Sequence, residues 1–514
     1  MRKWLPLTAV CLGAFMLLVD VTIVTVALPD MAADMHTGFA GLQWVMDVYA
    51  LALAALLLGA GSLADRIGRR RVYLAGIALF AAASLACGLA TGPTQLIAFR
   101  AVQGIGGAAM FATTMALLSG AYQGRDRGVA FGVWGAANGA AAASGPIIGG
   151  LLTEHFGWRW IFFINLPVCA LALYVTLRAV AESRDPLARR LDLPGMAGFT
   201  AGAAAVTYAV IRGGENGWTS ATTLGLLGLG AAAFAGFVLV ELRGSHPMLD
   251  LSLFRSPTFV AVMAAGLLLT GAAFSYLMYV SVWLQSAGGM SPVGAGLALL
   301  PMSAAGFVVA AGAGRLLHGV SPRLTIGGGL LLVGVGALLQ AWMLDAGDGW
   351  AALVPGLLVT GVGVGAATPA LAATAMGAVA PARAGMAGGA LNTARQLGTA
   401  LGIAVLGAVF HAGLRSGLGE GGRGLAEPLA SGGAGQLLAA APEGQARDAL
   451  AALVDAAFAS ALRGTFLTSA LMGLAGALAV FLLLRPSPRA AAPVVPAPAI
   501  PTPAAPAAAP VTRP

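Results

Sequence analysis

The sequence predicts an all-α integral membrane protein of about fourteen transmembrane helices. Composition gives the first ground: of 514 residues, 58% are hydrophobic and only 9% are charged. A soluble domain carries about a quarter charged residues, because it must solvate a surface. Mean hydropathy, at +0.86, gives the second. The third is that three cysteines in the chain cannot build a disulfide framework. Together these exclude a soluble enzyme and a stapled secreted domain, and leave lipid as the solvent.

The elements follow from the uncharged apolar stretches, since crossing a hydrocarbon core of ~30 Å takes ~20 helical residues. Such stretches start near Leu7, Trp44, Val72, Gln95, Gly128, Trp160, Leu193, Thr222, Thr258, Val293, Leu324, Ala351, Gly385 and Thr465. The first runs on to Pro29 and more spans follow, so it is a retained helix and not a cleaved signal peptide. Cys11, Cys87 and Cys169 each fall inside a span and read as small apolar filler. An even number of spans puts both termini on one side. Most of the 28 basic residues then fall in loops on the side of the termini, which makes that side cytoplasmic. Lys3 is the only lysine, and such an excess of arginine suggests a high-GC bacterial genome, so the expected location is a bacterial inner (plasma) membrane. The net charge of +8 is scattered over short loops and forms no continuous basic face, which argues against nucleic acid as a partner.

Two segments stand outside this pattern. Residues 413–462 form an outer loop that opens Gly-rich (Gly417, Gly419, Gly421, Gly422). It ends in an amphipathic piece after Pro442, in which Leu450, Leu453, Val454, Ala457, Phe458, Ala461 and Leu462 recur at helical spacing. That piece is expected to lie on the outer membrane face or to cap an opening. Residues 486–514 are Pro/Ala-rich without apolar periodicity and read as a disordered cytoplasmic tail. A faint repeat relates Gly61-Ser-Leu63-Ala-Asp65-Arg66-Ile-Gly68-Arg69-Arg70 to Gly314-Arg-Leu316-Leu-His318-Gly-Val-Ser-Pro-Arg323. A decayed repeat of this kind is the residue of a two-halved membrane carrier. The expected division is a six-helix half at 1–190, two linking helices at 191–245, and a second six-helix half at 246–485.

Several stretches carry a resemblance. In the first helix stands Asp20-Val-Thr22-Ile23-Val-Thr25-Val-Ala27-Leu28-Pro29, and in the fourth Arg100-Ala-Val-Gln103-Gly104-Ile-Gly106-Gly107. The fifth holds Gly135, Gly139, Gly145-Pro146 and Gly149-Gly150, followed by Trp158 to Asn165-Leu-Pro167. Later come Ser291-Pro292, Ala295-Gly296 and Pro301, then Asn392-Thr-Ala-Arg395-Gln396-Leu-Gly398. With the Gly61 to Arg71 loop, these resemble the major facilitator superfamily, and within it the fourteen-helix drug:proton antiporter branch, although Thr25 stands where that branch usually has asparagine. The resemblance implies a major-facilitator fold and proton-coupled export of drugs, antibiotics or amphipathic natural products by alternating access. No cofactor is implied, the proton gradient being the energy source, and a monomer is expected to suffice.

The residues support distinct physical roles. Gly61 and Gly68 let backbones approach, while Asp65, Arg66, Arg69 and Arg70 suit an ion-pair latch on the inner face; topology anchoring is the plainer reading. Gly135, Gly139, Gly145, Pro146, Gly149 and Gly150 make a bent, closely packed helix suited to a hinge or seal, or simply to small-residue packing. Charges at bilayer depth cost at least ~2.5 kcal/mol and by default mark an ion or substrate path. Asp20, Arg100 and Arg395 sit at such depth. Asp20 and Arg100 both lie in the outer half, where burial and a neighbouring arginine pull a carboxyl in opposite directions and set it for proton exchange. Their alternative is a fixed structural ion pair. Asn392, Arg395 and Gln396 share one helix face, and with Asn138, Trp134, Tyr276, Tyr279 and Trp283 they are the expected substrate cavity. One deep acid against two deep arginines favours neutral, zwitterionic or anionic amphipathic substrates over dications. An uptake or facilitative carrier on the same scaffold stays open, since fold does not fix direction. An enzyme does not: His36, His155, His246, His318 and His411 are scattered, and no zinc, nucleophile-elbow or Walker motif is present, so neither a metal nor ATP hydrolysis within the chain is expected.

Overall fold

The computed structural model describes residues 2–184, 192–244, 247, 249–316, 320–379 and 384–484. The 486–514 tail, His246, His318 and the arginines at 189, 190, 383, 485, 489 and 513 lie outside them. Among the described residues every regular element is a helix.

The helices are α1 Leu5–Met35, α2 Phe39–Ile67, α3 Arg69–Gly88, α4 Pro93–Ala121 and α5 Gly124–Phe156. The short α6 Trp160–Phe163 and α7 Asn165–Ala179 together make one span, followed by α8 Leu193–Asn216 and α9 Ala221–Arg243. Likewise α10 Pro257–Phe274 and α11 Leu277–Ser286 form one bent span. Then come α12 Pro292–Leu316, α13 Pro322–Met343, α14 Val354–Gly377 and α15 Ala384–Gly417. Three short pieces, α16 Gly419–Gly422, α17 Ala426–Ala430 and α18 Ala434–Ala440, precede α19 Gln445–Leu483. Thirteen spans are long and apolar enough to cross a membrane among the described residues. The 33-residue α5 makes a fourteenth by length. Proline often opens these helices (α4, α8, α10, α13), where its missing N–H costs nothing.

Helix order fixes two ends of the bundle. The near end holds the start of α1, and the far end holds the turn between α1 and α2. Helices α1 to α7 pack chiefly on one another, as do α10 to α15 with α19. The two groups meet along α5 with α12 and α2 with α15. Helix α8 covers the α2/α15 seam from the side, with Trp44 edge-on to Tyr208 and Val210 and Ile211 beside Ala404. Helix α9 lies outside α8 and is largely exposed.

One expectation needs correcting. The amphipathic piece at 450–462 is not a separate surface helix: it is the first part of α19, whose 39 residues run unbroken into the last span. Its apolar face packs on the end of α15, where Gly413 and Gly417 face the backbones of Ala461 and Ala457. The Gly-rich opening, expected as part of an outer loop, is helical instead: Gly417 ends α15 and α16 follows at once. The segment between α15 and α19 lies over the far end, with Gly432 against Pro29 of α1 and Glu427 at the start of α2.

Candidate functional site

Asp20 and Arg100 meet. Both are fully buried, and Arg100 Nη1 donates to Asp20 Oδ2 at 2.6 Å. Helical geometry brings three more elements to the pair. Gln103, one turn on from Arg100 in α4, donates to Asp20 Oδ1 at 2.9 Å, and Asn165 at the start of α7 does the same at 2.9 Å. Ser84 of α3 accepts from both amides and donates to the Phe162 carbonyl. Arg100 also donates to Gln103 Oε1 and to the Val45 carbonyl, and its guanidinium lies 4.3 Å from the Tyr49 ring centroid. A buried charge is tolerable only when paired and hydrogen-bonded in this way. Gln103 and Asn165 stand inside the motifs, but nothing in their spacing marks them as Asp20 ligands; three helices have to converge first.

In the second half, the first and third helices meet over a neutral counterpart. Gln340 of α13, fully buried, donates to Tyr276 Oη at 3.2 Å, and Tyr276 reaches Met302 Sδ. The deep charge cluster is therefore confined to one half among the described residues.

The α5 glycines form a seam. A Cβ at Gly149 would stand 2.7 Å from the Ile23 carbonyl oxygen, and one at Gly150 2.6 Å from that of Pro292. Gly145 faces Thr22, Gly139 faces the Phe307 ring, and Gly296 of α12 faces the Pro146 carbonyl. Gly135 takes no part, having nothing within 4 Å of its Cβ position. The far end is thus shut: α5 is clamped between α1 and α12, Gln285 donates to the Val26 carbonyl at 2.8 Å, and Val293 N–H donates to Glu154 at 3.3 Å. Glu427 adds a strap, accepting from Phe39 N–H at 2.8 Å with His411 Nε2 3.5 Å away. The His411 imidazole chiefly, and then the Phe39 amide, hold the Glu427 carboxyl below the usual carboxylate range against the opposing effect of burial.

The near end differs. Asp65 pairs with Arg69 at 2.8 Å, four residues on in the same half. Glu182, beyond α7, caps α3 by accepting from the backbone N–H of Arg70 and Arg71, and Arg70 donates to the Leu177 carbonyl. Gly68, at φ +123°, takes a conformation that favours glycine, with the Glu182 carboxylate where a Cβ would be. Gly61 has nothing within 4 Å and Arg66 is exposed. Among the described residues, the contacts of the expected latch therefore stay within the first half.

The expected cavity residues fall into two groups. Asn138, Trp134, Asn392, Arg395 and Gln396 are half-buried, and the Asn138 Oδ1 and Trp134 Nε1 atoms have no hydrogen-bond partner. No described side chain pairs with the Arg395 guanidinium; only its carbonyl is used, by Thr270 and Thr399. Tyr276, Tyr279 and Trp283 are more tightly enclosed: all three are buried, and Tyr279 donates to the Ile403 carbonyl at 2.5 Å within a cluster with Phe39 and Phe410. They belong to the packed far end, because the bend after Phe274 turns α11 into the seam. Sequence reading also missed Asp47 of α2, which is fully buried with both carboxylate oxygens unpartnered.

Known proteins resemble this chain over most of its length. A multidrug resistance protein, Stp, of Mycobacterium tuberculosis (strain CDC 1551 / Oshkosh) is 40% identical over 79% of this chain and 76% of its own. A tetracenomycin C resistance and export protein of Streptomyces glaucescens is 37% identical over 80% and 76%. A methylenomycin A resistance protein of Streptomyces coelicolor is 36% identical over 79% and 85%. Among solved structures, the human organic anion transporter MFSD10 superposes with a TM-score of 0.61 at 16% identity, covering 93% of this chain and 99% of its own. A bacterial homologue of the human lysosomal transporter Spinster, in an inward-facing and unoccupied conformation, gives 0.63 at 18% over 94% and 97%. At such identities these two speak for the fold alone. The model of the Major Facilitator Superfamily matches residues 10–403. With the all-helical bundle and these relatives, it follows that the chain belongs to the major facilitator superfamily and is a multi-pass membrane transporter, not an enzyme.

Proposed function

We propose that the protein exports amphipathic drugs or natural products from a bacterial cell in exchange for protons. The observation that carries the proton half is the Asp20 carboxylate, buried at membrane depth against Arg100 and reached by donors from α4 and α7. A membrane penalises such a group unless it is used. The export half is supported by relatives whose names record resistance and export. The near end, where the arginines gather, is the cytoplasmic side with both termini, and the far end is the outer face. The shut far end, and an Asp65 loop whose described contacts stay in its own half, support reading the conformation as inward-facing. Switching separates α5 and α1 from α12 and α11 outside while the Gly61–Arg70 latch closes inside, the six-helix halves at 1–190 and 246–485 moving against each other with the 191–245 pair alongside. Substrate sits against Trp134, Asn138, Asn392, Arg395 and Gln396; Tyr276, Tyr279 and Trp283 become available only when the far end opens. The free Arg395 guanidinium favours neutral, zwitterionic or anionic molecules. The protein works as a monomer without a cofactor.

Expression in an efflux-deficient host, with a toxicity panel read with and without a protonophore, tests this. Resistance that disappears with the protonophore is expected. Sensitisation to the panel would indicate uptake, and a clear preference for divalent cationic dyes would reject the substrate class.

A further inference from the structure

Two helices begin at the far end with no acid of their own in the first turn, α2 with Phe39-Ala-Gly-Leu42 and α12 with Pro292-Val-Gly-Ala295. Gly38, the residue before α2, has no side chain with which to cap it. Ser291, before α12, accepts from the Gly294 N–H and leaves that of Val293. The first N–H groups of a helix lack partners within it and form its positive end. In both cases a glutamate of the opposite half fills the place. Glu154, near the end of α5 in the first half, accepts from Val293 N–H at 3.3 Å and is also hydrogen-bonded to the Ser291 side chain. Glu427, after α15 in the second half, accepts from Phe39 N–H at 2.8 Å. The two contacts are one arrangement run in opposite directions: α5 and α15 are the fifth spans of their halves, and α2 and α12 the second spans. Each half thus holds the second helix of the other from beyond or near the end of its own fifth.

Opening the far end moves α5 from α12 and α2 from α15, so both carboxylates leave both helix starts in one movement. A contact made in only one of two states biases the equilibrium toward that state by its own free energy. We propose that Glu154 and Glu427 form a reciprocal outer lock, two positioning residues whose negative charges at the α12 and α2 N-termini hold the far end shut. Both side chains border water, which screens them, so each bond contributes modestly and the lock depends on the pair. A lock of that size biases the far end toward the shut state without preventing the switch. This rests on the proposed alternating-access cycle and names the residues that set its resting side.

The test places one reporter cysteine in full-length protein whose Cys11, Cys87 and Cys169 are replaced by alanine. Ser281→Cys serves at the outer seam, because Ser281 is fully buried and accepts from Gln285, which binds the Val26 carbonyl across the joint. In right-side-out vesicles a membrane-impermeant methanethiosulfonate reaches this thiol only when the far end opens, so the labelling rate follows the open fraction even when that is small. Glu154→Gln and Glu427→Gln should each speed labelling about threefold, and together about tenfold, since each removes a charge from a helix start and effects at distant sites add. Glu420→Gln, which removes an exposed acid of the same outer segment that pairs with Arg423, should label at the wild-type rate. A second reporter, Gln396→Cys in inside-out vesicles, separates a released lock from a loosened protein, and its labelling should not rise in any of these variants. A double variant that labels Ser281→Cys at the wild-type rate, or a rise at both reporters, overturns the proposal. So does a Ser281→Cys thiol that no variant exposes. The readout needs neither substrate nor gradient, so failure of the export reading is scored separately by the toxicity panel.

Discussion

At the scale of single residues, the Asp20 cluster shows how five polar groups satisfy one another in lipid. The Asp20 carboxylate accepts from Arg100, Gln103 and Asn165, which leaves the Arg100 charge fully compensated. Asp20→Asn removes the compensation and keeps the volume. It should cost about 3–5 kcal/mol, as breaking one side of a buried pair does, and abolish proton-driven export. Thermal unfolding in detergent and transport in vesicles check the two parts; full-rate proton-dependent export would instead make the pair a fixed structural one. Arg100→Lys keeps a charge but cannot reach Asp20, Gln103 and the Val45 carbonyl at once, so it should fall between wild type and Asp20→Asn in both assays. Glu427 gives a pH prediction of known sign. Its carboxyl is held below the usual range in the folded chain, so its contribution is fully present above the unfolded carboxylate value and is lost as pH falls through the lower, folded value. Hydrogen exchange at the Phe39 amide should accelerate only in strongly acidic buffer, and Glu427→Gln should show the faster exchange already at neutral pH.

At the scale of elements, α5 is a seal made of missing side chains. Gly150→Ala would bring a Cβ to 2.6 Å from the Pro292 carbonyl, and Gly149→Ala one to 2.7 Å from that of Ile23, contacts that real Cβ atoms do not make. Overpacking of this kind costs about 1–3 kcal/mol, enough to lower transport about tenfold. Gly135→Ala meets nothing within 4 Å and should transport at the wild-type rate with a slightly firmer helix. Rates for the three variants at matched expression decide the matter. This contrast also shows the limit of the sequence. Every glycine of the motif looks alike on paper, and only the position of α12 separates Gly150 from Gly135. Where a span is uncharged, its start was legible to within a few residues, as at Trp160 and Leu193. Where charges enter, hydropathy misplaces it: Asp448, Asp455 and Arg463 hid the first turns of α19, which begins at Gln445 and not near Thr465. The same error cost Asp47. A span placed from Trp44 leaves Asp47 at the interface, whereas α2 starts at Phe39 and buries it.

At the scale of the whole molecule, charge is distributed unequally between two similar halves. The first holds Asp20, Arg100 and Asp47, and the second answers the Asp20 cluster with the neutral Tyr276–Gln340 contact. The repeat was visible only in its loops, because the polar cores of the halves share position and not chemistry. The far end is sealed by α5, α12, α11 and the segment before α19, while the Asp65 loop is bonded within its own half. In this account, the proton works in the first half and the substrate cavity lies between the two. Inside-out membrane vesicles from an efflux-deficient host test that claim most directly, with an acid lumen and a neutral or anionic amphipathic dye outside. Dye should accumulate in the lumen with wild-type protein, collapse to background with a protonophore, and stay at background with Asp20→Asn. Accumulation indifferent to the protonophore, or equal in the Asp20→Asn vesicles, would contradict it.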